Sequence, residues 1–330
     1  MRVVFFHRKP RPKIYFSIEN LFNYIREALP GDVSWEVKEL RYFSEGFFKR
    51  LFISLEAAFS QRGINHITGD IHFIAIFLRK KRTILTIHDV GFMNQSNFFV
   101  RFVLRLFWIT IPVHRSAVIT TVSTSTKLEL LKYVRVKPSR IRVVYVPMNP
   151  KFVSSPKQFN KTEPRILQIG TIHNKNVSRL LQALQGINCK LEIIGLLSDD
   201  LLKDLEDSKI NFAAHTNLSN EEMAEKYREA DVIAFVSTYE GFGIPIVEAN
   251  TIGRVVVTSN ILSMPEIAAD AAHLVNPFDV ASIREGILKV IDDDVYRDKL
   301  IANGFINRKR FDAKRIAMQY SEIYKSMKNL

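Results

Sequence analysis

The chain has one cysteine, Cys189, so it holds no internal disulfide and suits a reducing compartment. That cysteine stands in the strand-like run Cys-Lys-Leu-Glu-Ile-Ile-Gly, which makes it a buried, inert thiol. No run of about 20 apolar residues occurs, which argues against a transmembrane helix. The opening MRVVFFHRKP has only four apolar residues in a row, too few for the apolar stretch of a secretory signal, and reads as a first strand. A cytoplasmic protein, or one peripheral on the inner face of the cell membrane, is therefore expected. No G-x-G-x-x-G follows the first strand of either half, which disfavours a dinucleotide oxidoreductase.

Acidic residues are sparse in one half only. Residues 1–150 carry 24 Lys and Arg against 10 Asp and Glu, whereas residues 151–330 carry 23 against 24. The whole net charge of +13 thus belongs to the first half. It points that half toward an anionic partner: a membrane surface, an acidic acceptor or nucleic acid. No recognised nucleic-acid motif accompanies the charge.

Apolar content of 47% over 330 residues suits two globular domains. Short apolar runs at 2–7, 33–40, 65–68, 83–88, 117–122 and 141–146 read as strands. Amphipathic stretches at 17–29, 44–61, 97–111 and 126–134 read as the helices between them. This alternation predicts a parallel, doubly wound sheet. Residues 151–164, rich in Pro, Ser, Asn and Lys, read as a linker. The alternation then restarts, with strands at 165–170, 190–195, 211–214, 232–236, 255–258 and 272–275 and helices at 178–184, 220–229, 244–251 and 281–291. The expected division is 1–150, 165–310 and a helical tail at 311–330. Two stretches, NFFVRFVLRLFWITI and GFFKRLFISLEAAF, set Arg and Lys beside Phe, Leu and Trp. Either is a core helix with basic residues at its rim, or a helix that lies on a membrane surface.

The most informative stretch is Asp231 to Gly253, DVIAFVSTYEGFGIPIVEANTIG. A buried strand leads into a glycine turn, then into a helix with Pro245 in its first turn and Gly253 at its stop. Free N–H groups and the positive end of the helix dipole make this a seat for phosphate. Glu240 and Glu248 bracket it. Carboxylates do not bind phosphate, but they accept hydrogen bonds from hydroxyls, so a sugar at one end and a ribose at the other fit. If all eight residues were helical, the two would stand about 12 Å apart.

Other candidates sit at strand ends, where parallel sheets bind ligands. Lys175 follows the run RILQIG and is placed to neutralise a diphosphate. His88 and Asp89 follow TILTI; His88 would bond a sugar hydroxyl or orient an acceptor, and Asp89 is a weaker candidate for its proton. His66, Asp70 and His72 lie in the stretch Asn65–His72 that ends another strand. The spacing of the two histidines matches no metal site, so acceptor binding is the expected role. Arg8, Lys9 and Arg11, in a proline-stiffened turn, would meet phosphate or an anionic acceptor, or be solvated. Ser123 and Ser125 precede a helix and read as caps. The Asp292-Asp-Asp294 run reads as a solvated helix end.

E-G-F-G-I-P-I-V-E at 240–248 resembles the E-x7-E motif of the retaining family 4 glycosyltransferases. The resemblance is strong over residues 165–275, moderate over 64–146 and weak before that. It implies the GT-B fold, two Rossmann-like domains facing a cleft, with the last helix crossing back to the first domain. It further implies transfer of a sugar from a nucleotide-sugar to a glycan or lipid-linked acceptor, with retention of configuration and without metal or other cofactor. Surface polysaccharide biosynthesis is the setting it suggests. Glu240, His88 and Lys175 would be catalytic. Gly170, Thr171, Lys175, Glu240, Gly241, Phe242, Gly243, Ile244 and Glu248 would bind donor, and His66, Asp70, Asp89 and Arg8 acceptor. The chain departs from the family pattern at Thr171, where Arg is frequent; in having one residue fewer before Lys175; in lacking the glycine-rich first loop; and at Ala269, where glycine is usual. Two rivals remain open: a catalytically silent nucleotide-sugar-binding scaffold, and a basic protein that binds polyanions or nucleic acid.

Overall fold

In the computed structural model, which describes residues 1–9 and 18–327, the chain divides into two compact units. One comprises Met1–Pro147 with Asp312–Leu330, the other Met148–Phe311.

The first unit holds β1 (Arg2–His7), β2 (Ser34–Glu39), β3 (Ile64–Ile67), β4 (Thr83–Ile87), β5 (Val118–Thr121) and β6 (Ile141–Val143), all parallel, in the order β2-β1-β3-β4-β5-β6. Residues alternate between the two faces of a strand. Accordingly Val4 and Phe6 pack with Ile53 and Ala57 of the helix Phe47–Phe59. Val3 and Phe5 pack with Phe22, Tyr320 and Tyr324 on the opposite face. Both faces of the inner strands β1 and β4 are covered, which is why these read as apolar runs, whereas the edge strand β2 buries none of its residues. The C-terminal helix Ala313–Met327 contributes Ile316, Ala317, Tyr320, Tyr324 and Met327 to that second layer.

The second unit holds β7 (Arg165–Ile169), β8 (Lys190–Ile194), β9 (Asn211–His215), β10 (Val232–Phe235), β11 (Val255–Ser259) and β12 (His273–Val275), again all parallel, in the order β12-β11-β10-β7-β8-β9. The winding reverses between β7 and β10, and in the first unit between β1 and β3. A crevice opens beyond the carboxyl ends of the strands at such a reversal.

Two regions differ from the sequence reading. Residues 151–164 belong to the second unit: Phe152 is buried against Tyr227, Ser155 N–H donates to the Ile252 carbonyl, and Lys157 Nζ bonds the buried Asp231 at 2.6 Å. The helix Asp199–Asp207, capped by Ser198, was not foreseen, because only Leu201 and Leu205 of its short length are buried.

Of the two basic, aromatic helices, for which core and surface readings both stood, one packs part of one face on the core and both leave most of their phenylalanines exposed. The helix Phe47–Phe59 turns Ile53, Ser54 and Ala57 inward and leaves Phe47, Phe48 and Phe59 71%, 82% and 89% exposed. The helix Phe98–Leu104 buries no residue fully, continues as a π-helical turn Arg105–Thr110, and ends as Ile111–Arg115. Cys189 is buried in the second core, and burial pushes its thiol up to about 11, so it is unreactive near neutrality.

Candidate functional site

The loops after β7 and β10 meet at the reversal of the second sheet. Gly170 takes a left-handed φ of 86°, and a Cβ there would come within 2.9 Å of Lys175 Cε. Glycine is therefore what lets Lys175 fold back across the strand end. Asn176, also left-handed at φ 60°, donates through Nδ2 to the carbonyls of Val236 and Pro277. Asn174 Nδ2 donates to the Tyr239 carbonyl at 2.7 Å, and Thr238 N–H donates to the Asn174 carbonyl at 2.8 Å. These bonds hold the two loops in one register.

Within that frame Lys175 Nζ donates to Glu240 Oε1 at 2.6 Å and lies 4.9 Å from the centre of the Phe235 ring. Each side chain is about one-sixth exposed, at 17% and 16%. The pair is thus screened from bulk water yet open on one side. Gly243, at φ 116°, turns the chain into the helix Ile244–Ile252, with Pro245 in the first turn and Gly253 at the stop. Phe242 is buried edge-on against Phe311. Thr171 donates its hydroxyl to the Leu196 carbonyl.

Glu240 precedes the helix by four residues. The twelve-ångström separation expected for a fully helical stretch therefore does not apply. Glu248 lies on the helix and is 2% exposed. Tyr227 OH donates to its Oε2 at 2.6 Å, while Oε1 is buried without a partner among the described residues. Burial outweighs the tyrosine bond and pushes the carboxyl up to about 8, so it is mainly neutral at pH 7. The sequence reading had it as an ordinary accepting carboxylate. A buried orphan oxygen carries a desolvation cost of about 1–3 kcal/mol that a hydroxyl donor would relieve.

In the first unit, Asp70, His72, His88 and Asp89 line one cavity of about 360 Å³ together with Arg50, Phe92 and Trp108. His88 Nε2 donates to the Thr68 carbonyl at 2.8 Å, and Asp89 Oδ1 accepts from Gly91 N–H. Arg8 pairs with Asp70 at 3.1 Å, joining the ends of β1 and β3. His72 Nδ1 donates to the Trp108 carbonyl.

His66 requires correction. It is fully buried, its ring nitrogens bonded to Tyr324 OH and Thr86 Oγ1, and burial holds it neutral. Its place in a β3 covered on both faces makes it a core residue, not an acceptor ligand. His7 is likewise buried, and its Nε2 accepts from Arg26. Lys9 lies over the Phe43 ring, and Arg11 falls outside the described residues. Ser123 caps the helix Thr124–Tyr133. Asp293 caps the helix Asp294–Asn307, and Asp294 pairs with Arg297.

Arg50 and Trp108 were missed as site residues. Their only signal in sequence was the mixture of aromatic and basic residues in the two exposed helices.

Residues 151–306 match the family model described as glycosyl transferases group 1. Over 274 residues the chain is 28% identical to O-antigen chain mannosyltransferase B of Escherichia coli, covering 75% of this chain and 71% of that protein. Sucrose-phosphate synthase from Thermosynechococcus elongatus superposes with a TM-score of 0.82 at 15% identity, over 99% of this chain and 98% of that one. Anabaena HepE, in complex with UDP and glucose, superposes with a TM-score of 0.74 at 16% identity, over 98% and 99%.

Proposed function

We propose, from the match of residues 151–306 to the glycosyl transferases group 1 model and from the GT-B fold, a retaining, metal-independent transfer of a hexose, mannose first, from a nucleotide-sugar. The acceptor is a glycan or lipid-linked glycan of surface polysaccharide biosynthesis. The observation that carries the reading is the Lys175–Glu240 pair at the reversal of the second sheet, one glycine turn before a helix that carries the orphan oxygen of Glu248.

In this reading the diphosphate lies over the amides of Phe242–Ile244, where the dipole of a nine-residue helix favours negative charge. Glu248 takes the ribose hydroxyls and, in accepting from them, becomes easier to ionise. Glu240 holds a hydroxyl of the donor sugar with one oxygen and Lys175 with the other. As the bond from C1 to the phosphate oxygen breaks, its electron pair goes to the diphosphate, and Lys175 stabilises that charge. The acceptor oxygen bonds C1 on the face the phosphate leaves. Its proton passes to the departing phosphate oxygen. His88 and Asp89 orient the acceptor hydroxyl.

No described helix is long and apolar enough to cross a membrane. The exposed Phe47, Phe48, Phe98 and Phe99, with Lys49 and Arg101 on the same helices, support docking of the first unit on an anionic membrane. The test is turnover of nucleotide-activated mannose, offered with each common base in EDTA, with the product's anomeric configuration read by NMR. An inverted product, or turnover abolished by EDTA and restored by a divalent metal, would refute the mechanism.

A further inference from the structure

A second cavity of about 380 Å³ lies against the outer helices of the first unit, walled by Phe47, Leu51, Phe73, Phe77, Val103 and Phe107. It shares two residues, Arg50 and Trp108, with the polar cavity that holds His88 and Asp89. The Arg50 guanidinium stacks over the Trp108 ring at 4.8 Å. Trp108 is fixed from three sides: Nε1 donates to the Asp70 carbonyl at 2.8 Å, its own carbonyl accepts from His72, and its ring packs on Phe73. The π-helical turn Arg105–Thr110 sets Phe107 and Trp108 into this wall, and such turns recur at functional sites.

We propose that these adjoining cavities hold one amphiphilic acceptor, a phosphate-linked lipid. Its first hydrocarbon units fill the apolar cavity, its phosphate meets Arg50 at the shared wall, and its acceptor hydroxyl reaches His88 and Asp89. The inference rests on the proposed transferase reading and names its acceptor class. Each part of the occupant answers a feature of the wall. Among the described residues Arg50 bonds only neutral oxygens of Ser44, at 3.3 and 3.4 Å, so its charge is available to an anion. Of the two carboxylates in the polar cavity, Asp70 is neutralised by Arg8, and Asp89 accepts from Gly91 N–H. Cavities of this size are typical of small-molecule sites, whereas protein partners meet broad surfaces. The excess of basic over acidic residues in this half favours an anionic ligand at long range.

The molecule supplies its own reporter. Trp35 and Trp108 are its two tryptophans, so Trp35→Phe leaves Trp108 alone. The probes are monomeric farnesyl phosphate, farnesol, inorganic phosphate and anionic phosphatidylglycerol vesicles, each titrated into that full-length variant. The expected result is a blue shift of Trp108 emission with farnesyl phosphate, and binding weaker by tenfold or more for farnesol. Arg50→Gln should reduce farnesyl phosphate to the level of farnesol. Leu51→Glu and Phe107→Glu, at positions 37% and 39% exposed and so compatible with folding, should abolish binding of both. Equal binding of farnesol and farnesyl phosphate, or no loss in Phe107→Glu, overturns the proposal. So does a response to vesicles alone, which would make the face a bilayer contact, or to inorganic phosphate alone. A nucleotide-sugar melting shift is recorded on the same samples. If it persists without a farnesyl phosphate response, the acceptor inference fails and the transferase reading stands; if both are absent, the transferase reading itself fails.

Discussion

The two units share one architecture and oppose each other in their buried ionisable groups. The first is strongly basic in sequence yet keeps His7, His66 and His72 neutral inside it. The second is nearly balanced in charge yet encloses Glu248 with its carboxyl raised to about 8. In each, burial is the leading cause of the shift. The first unit is thereby made vulnerable to acid and the second to base. The difference also separates two uses of a buried group. His66 has both nitrogens bonded and belongs to packing. Glu248 keeps one oxygen unsatisfied and points to a ligand.

The largest expected effect breaks the second unit's chemistry and leaves its fold. On the proposed mechanism Glu240→Ala should lower turnover by about 10²–10³-fold, and Lys175→Ala similarly, since each would remove charge stabilisation at the reacting bond. Melting temperature and circular dichroism should stay near those of the parent. Unchanged turnover in Glu240→Ala would remove the pair from the mechanism.

The next effect separates the units by pH. Burial and then Arg26 depress His7 to about 3, below the ordinary 6.5. The unfolded chain therefore takes up a proton first as pH falls, so stability is full above about pH 6.5 and declines from there toward pH 3. By pH 5 the loss from His7 alone is about 2 kcal/mol. Because both tryptophans lie in the first unit, tryptophan emission during denaturation follows that unit. His7→Gln should flatten its acid limb. Glu248 has the opposite sign. Its folded carboxyl holds a proton that the unfolded one has lost, so stability falls as pH rises from about 4.5 to about 8 and then levels. Glu248→Gln should therefore raise the melting temperature of the ligand-free protein at pH 8 by at least about 2–4 °C, and hardly at pH 4.

A smaller signal links that carboxyl to its ligand. Ribose hydroxyls donating to Oε1 favour the ionised form, so nucleotide binding at pH 7 should release up to one proton. Calorimetry in buffers of different ionisation heat measures it, and Glu248→Gln should release none.

The smallest expected effect is at Ala269, which holds a left-handed φ of 46° in the second unit. Ala269→Gly should stabilise by about 1 kcal/mol, read from denaturant midpoints.

Inner strands such as β1 and β10 were legible because both of their faces are covered, which turns them into apolar runs, whereas the edge strand β2 buries none of its residues. The E-G-F-G turn and Lys175 were legible because glycine and a strand end mark backbone geometry directly. Strand order was not, since periodicity says nothing of which strands are neighbours. Nor was the fate of a lone histidine: His66 and His88 each belong to a strand-like run, and only packing separates the core residue from the cavity residue. The helices Phe47–Phe59 and Phe98–Leu104 stayed open between a core and a surface reading, because in sequence the pattern of a buried helix and that of a surface helix coincide where phenylalanines face outward.

The most direct test of the donor site is a melting screen of the protein in EDTA against UDP, GDP, ADP and their common sugar conjugates. The account predicts a rise with one base, larger for its sugar conjugate, retained in EDTA and lost in Glu248→Ala. No rise with any of them, or a rise unaffected by Glu248→Ala, would contradict it.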